Sequence, residues 1–245
     1  MEPLENTTEE DKLTLFMEWL LANWVHVVFA VAVALLAGAF IYKGNVEAVE
    51  KEETAAEDLL GAIYPDEFKV DTVDPNKALS DRLRQVGQAY PGTKAADNAV
   101  FLQASALYEE GKFTQAKVAF GSYLNLAGTG PLAAAAQFGL AAAEDAVGEK
   151  EKAQSSYKVV IANYGSAPEA MQARVALAKI LLAKPNPEIE QAKQLLLAAS
   201  QESLVSRIPG FWGREAERLL APLQVKTEIK AEDDNGASGE AKKDE

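Results

Sequence analysis

The chain has no cysteine, which excludes disulfides, thiolate metal sites and a cysteine nucleophile. That absence suits an oxidising compartment as well as a reducing one. Histidine occurs once, as His26, inside a long apolar run. A lone polar side chain there is ordinarily interfacial rather than catalytic. Basic residues are also scarce. Lys and Arg number 24 against 37 Asp and Glu, a net charge of −13, so nucleic acid is a poor partner. No phosphate loop, HExxH zinc motif, G-x-S-x-G elbow or dinucleotide fingerprint is present. The carboxylates are scattered, with no pair set apart for acid–base work. Asp233-Asp234-Asn235-Gly236 lacks the alternating ligands and terminal glutamate of a calcium loop. No catalytic residue, metal or cofactor is therefore expected. The expected activity is binding.

What the chain does have is one stretch with almost no polarity. From Val27 to Ile41 no charged or strongly polar side chain occurs. With its shoulders, Trp19 to Tyr42, the run reaches the roughly 20 apolar residues a helix needs to cross about 30 Å of hydrocarbon. Trp19 and Trp24 at one end and Tyr42 at the other form an aromatic belt. The acidic flank before it, including Glu9, Glu10 and Glu18, is the wrong charge for a signal peptide. Residues 19–42 are thus expected to be an uncleaved transmembrane helix in the lipid bilayer. Ala30, Ala34 and Gly38 recur at every fourth position, a small-residue stripe on which a partner helix could pack.

Around that anchor the chain divides by composition. Residues 1–18 form an acidic tail. Residues 43–64 read as a stalk helix, loosened at Gly44-Asn45 and apolar at Val46, Val49, Ala56, Leu59, Leu60 and Ile63. Residues 65–75, with two prolines and three aspartates, read as a linker. A helix is expected from about Asn76 to Tyr90, stopping at Pro91-Gly92. Residues 76–223 read as one helical domain, and 224–245 as a disordered charged tail.

Inside that domain the sequence repeats with a step of 37 residues. Ala104, Ala141 and Ala178 are in register, as are Ala99, Ala136 and Ala173, and Phe101, Phe138 and Val175. Gly111, Ala116 and Phe120 match Gly148, Ala153 and Tyr157, while Ala192 and Leu196 take the latter places in the third unit. Two extra residues near Pro185-Asn186-Pro187 lengthen the third turn. Such units stack because paired helices cannot bury their apolar faces alone. The fold class expected is all-α: one transmembrane helix, then an α-solenoid of about three helical hairpins. Beyond it, Phe211, Leu219 and Leu220 are placed to cap the open edge. The rival reading makes Phe211-Trp212 an exposed docking knob.

YEEGKFTQAKVAFGSYL resembles the turn and second helix of a tetratricopeptide repeat, and the resemblance covers about Ala95 to Ser200. Gln103 departs from it, standing where that family prefers leucine, and Pro131 and Pro168 are displaced from the usual unit end. The resemblance implies that the first helix of each unit lines a concave, partner-binding face. By register that face holds Asn98, Phe101, Ser105 and Tyr108 from the first unit, Phe138 and Asp145 from the second, and Gln172, Val175 and Lys179 from the third.

The whole layout, with the run EEDKLTLFMEWLLANWVHVVFAVAVALLAGAFIY, is similar to the ancillary Sec-translocon subunits of bacterial inner membranes. That likeness implies a single-span inner-membrane protein with a periplasmic repeat domain. It also implies partners in the envelope: the Sec translocon and a membrane-anchored periplasmic chaperone. The expected function is a membrane-anchored protein-interaction module of the cell envelope, an accessory of protein export. The alternative is a scaffold or stabilising subunit of another membrane complex. Lysine counts alone, Lys12 before the run and Lys43 and Lys51 after it, lean slightly toward a cytoplasmic repeat domain. The resemblance implies the opposite orientation.

Overall fold

In the computed structural model, residues 14, 17, 19, 24–68, 70, 73–205 and 210–224 are described, with backbone only for 24–32 and 203–205. The described residues are all-α, with nine helices and no strand. They are α1 (Trp24–Ile63), α2 (Leu79–Ala89), α3 (Lys94–Glu109), α4 (Phe113–Ala127), α5 (Ala133–Ala146), α6 (Lys150–Asn163), α7 (Pro168–Leu182), α8 (Ile189–Val205) and α9 (211–224).

The chain divides into two compact units, Met1–Thr54 and Ala55–Glu245. In the first, α1 runs unbroken through Gly44-Asn45, and Lys43 pairs with Glu47 one turn on. From 33 to 50 every residue is exposed, Phe40 most of all among the large hydrophobic side chains, at 82%. Among the described residues no helix is long and apolar enough to cross a membrane. The side chains of 20–32, the first half of the expected span, lie outside those described, as do the tails before Thr14 and after Gln224.

In the second unit each helix from α2 to α8 packs on the next, antiparallel, in the manner of a helical repeat. The first helices of the hairpins also touch, α3 on α5 and α5 on α7. The 37-residue register explains this packing. Ala99, Ala136 and Ala173 are all fully buried, and so are Ala104, Ala141 and Ala178. A methyl group at these places lets backbones approach as close as helix packing allows. Ala116, Ala153 and Ala192 are likewise fully buried on the second helices. Phe120, Tyr157 and Leu196 beside them fill the larger spaces.

The hairpin turns follow the same register. The Leu107 carbonyl accepts from the Lys112 N–H at 2.8 Å, and the Glu144 carbonyl from the Glu149 N–H at 2.9 Å. Each turn needs a left-handed residue, supplied by Gly111 (φ 75°) and Gly148 (φ 86°). The end of α1 is fixed to α2 by Arg82, whose Nε donates to the Ala62 carbonyl at 2.9 Å and whose guanidinium also reaches the Pro75 carbonyl. The Tyr90 hydroxyl donates to Asp58 at 2.6 Å. That bond and burial push the Tyr90 phenol up to about 12. The helix expected from Asn76 starts at Leu79, because Asp74 draws the Asn76 N–H into an Asx turn (3.0 Å).

Candidate partner-binding groove

The first helices carry their groove-facing residues one turn apart. Phe101, Ser105 and Tyr108 recur along α3, Ala135, Phe138, Ala142 and Asp145 along α5, and Ala176 and Lys179 along α7. Spacings of three and four put each set on one helix face. Together they line an open cavity of about 470 Å³, within the usual range for ligand sites.

Aromatic rings make most of its floor. Phe101 meets Phe120 at 6.0 Å and Tyr123 at 5.5 Å, both edge to face. Phe138 tilts against Tyr157 at 5.6 Å, and Tyr108 stands edge-on to Phe113 at 5.0 Å. These pairings hold the rings rigid while leaving Phe101, Tyr108 and Phe138 half-exposed. Gly139 is what allows the floor to close. A Cβ there would lie 2.4 Å from the Phe120 ring, so that ring sits directly on the α5 backbone. Trp212 of α9 supplies the last wall.

The polar groups are arranged at one end. Lys150 pairs with Asp145 at 2.5 Å, and Lys179 with Glu215 at 2.7 Å. Arg218, and then Lys179, hold the Glu215 carboxyl down to about 2. Burial first, and then the negative field of Asp145, raise the Tyr157 phenol. Among the described residues no cluster of three or more His, Asp or Glu could hold a metal ion. The rigid rings, shallow polar rim and open mouth are features suited to holding a side chain.

Of the nine residues expected on this face, Phe101, Ser105, Tyr108, Phe138, Asp145 and Lys179 line the one cavity. Asn98 is exposed and Gln172 half-buried, but neither borders it. Val175 is fully buried in the core shared by α5 to α9, and its neighbour Ala176 reaches the cavity instead. Register gives a residue's place on the helix, but the packing of the neighbouring helices decides what remains open. Ala34 is exposed and a methyl at Gly38 would touch nothing within 4 Å, while the Ala30 side chain lies outside the described residues.

Sequence reasoning did not single out Gly139, Glu109 or Ala176. Gly139 did leave a signal: glycine inside a helix costs about 1 kcal/mol relative to alanine, so it marks a close approach. The last helix is divided between the two readings in its packing alone. Leu219, Leu220 and Trp212 pack on the core, while Phe211 stays 63% exposed with its ring 5.1 Å from Trp212.

Fold and groove together define a class, an array of stacked antiparallel helices consistent with a helical repeat, with an aromatic groove on its first helices. No family model matches the chain, and neither does any curated protein.

Proposed function

We propose that this chain is a membrane-anchored protein-interaction module of the bacterial cell envelope. The observation that carries the reading is the groove, an open cavity floored by aromatic rings from two hairpins. Half-exposed aromatics on a rigid frame are the groups that dominate protein–protein affinity. The anchor is supported by the apolar run from Trp19 to Tyr42 and by Leu35, Leu36, Phe40 and Ile41, which are exposed among the described residues. A lipid bilayer covers such side chains. Layout alone supports a place beside the export machinery, with the tetratricopeptide-like domain on the periplasmic side.

The test is recovery of partners with the full chain in mild detergent, followed by mass spectrometry. Tyr108→Ala combined with Phe138→Ala is expected to cut partner recovery at least about tenfold, since one hot-spot aromatic is worth 1.4 kcal/mol or more. Unchanged recovery would sink the groove reading. For the anchor, the chain should resist alkaline carbonate extraction. Protease added to intact spheroplasts should digest the helical domain, and full protection would overturn the periplasmic assignment.

A further inference from the structure

The groove does not end at its polar rim. At Asp145 and Lys179 it meets a second depression of about 380 Å³, lined also by Lys150, Glu151 and Lys184. Every lysine along the joined surface already has a carboxylate. Lys150 is held by Asp145, Lys179 by Glu215 and Lys184 by Glu188. Two acids on the same surface have no such counterpart: Glu109 and Glu151 form no ion pair among the described residues. The backbone adds to the imbalance. The first helices all finish at this end, α3 at Glu109, α5 at Ala146 and α7 at Leu182. Each helix C-terminus contributes roughly half a negative charge. Tyr108, half-exposed, lines the same cavity, and an aromatic ring there can attract a cation.

We infer that the groove receives an apolar partner segment that carries a basic side chain, with the lysine or arginine seated at the Glu109–Glu151 end. The inference rests on the groove reading above and adds the partner's chemistry to it. The apolar part of the segment lies over Phe101 and Phe138. Its cation neutralises carboxylates that the protein's own lysines leave unbalanced. An acidic segment would face those carboxylates and the helix ends together, and is rejected.

Trp212 makes the test direct, because it borders the groove and the only other tryptophans are Trp19 and Trp24. In the full chain carrying Trp19→Phe and Trp24→Phe, its fluorescence reports the groove alone. Three nonapeptides are titrated in a neutral detergent. They share one pattern of leucine and phenylalanine and carry lysine, glutamine or glutamate at the two remaining positions. The lysine peptide is expected to bind at least about tenfold tighter than the glutamine peptide, with the glutamate peptide weakest. The advantage should shrink as salt rises from 0.05 to about 0.5 M. Glu109→Gln with Glu151→Gln should bring the lysine peptide down to the glutamine peptide's affinity. Equal affinity for the lysine and glutamine peptides would overturn the inference and leave the groove standing. A lysine advantage that survives the double substitution would overturn the assignment to these two acids. No Trp212 response to any peptide would overturn the groove reading itself.

Discussion

The first two hairpins and the third are built on one register, yet they behave differently. In the first two, Leu107 and Glu144 close their turns onto residues five further on, through Gly111 and Gly148. In the third, the equivalent carbonyl of Leu181 accepts from the Glu188 N–H, seven residues on, at 3.2 Å. Pro185 stands where the glycines stood, and the two added residues do the work of a left-handed turn. The groove position differs as well. Phe101 and Phe138 are half-exposed, whereas Val175 is fully buried under neighbouring helices. One position in a repeat thus fixes a residue's bearing on the helix. Size and the next element decide whether it becomes floor or core.

The sharpest contrast is at the last buried position of each first helix. Leu107 and Leu181 are 5% and 1% exposed, and between them stands Glu144, 8% exposed with an Oε2 that has no hydrogen-bond partner among the described residues. Exchanging the residue types should therefore have opposite signs. Leu181→Glu places an uncompensated carboxylate in a leucine site and is expected to cost about 3–5 kcal/mol. Glu144→Leu removes an unsatisfied buried group and is expected to stabilise by about 1–3 kcal/mol. Urea midpoints at constant slope measure both. A destabilised Glu144→Leu would mean that this carboxylate is partnered in solution.

A smaller effect separates two helix glycines. Gly139→Ala drives a methyl into the Phe120 ring, which is 4% exposed and tightly held, at an expected cost of about 1–3 kcal/mol. Gly121, inside α4, has nothing within 4 Å of an added Cβ. Gly121→Ala should gain about 0.5–1 kcal/mol from helix propensity alone. Equal effects at the two sites would show that Phe120 does not rest on α5.

These contrasts also mark how far the sequence could be read. The alternation of helices, the 37-residue step and the buried alanines were legible because each reflects a local rule repeated three times, and the turn glycines because theirs is repeated twice. The same register places six residues that line the one cavity. The places of Val175 and Trp212 were not legible. Trp212 lies on α9, outside the repeat, so no register predicts its side of the groove. Val175 is fully buried in a core shared by α5 to α9, and cover is a tertiary property. Gly139 was legible only as a cost without a stated benefit.

The smallest effect tests how α9 is held to α7. Glu215 on α9 pairs with Lys179 on α7 at 2.7 Å and with Arg218 one turn on at 2.8 Å. Its carboxyl is held down to about 2, below the unfolded value of about 4.3. A depressed acid contributes stability that is fully present above its unfolded pKa and is lost as pH falls through the folded one. The window for this group therefore runs from about pH 4.5 down to 2. Most of the pairing is at the surface, so the contribution is a few tenths to about 1 kcal/mol. Glu110 and Glu149, also held low by lysines, titrate in the same direction, so the raw acid slope is not specific. The difference between the parent chain and Glu215→Gln isolates the latch. With Trp212 as the sole tryptophan, the parent should show an acid-dependent emission shift across that window that Glu215→Gln lacks, its α9 being equally loose at every pH. If the two chains shift alike, Lys179 and Glu215 do not hold the groove's last wall. Trp212 would then be seated by its contacts with the core alone.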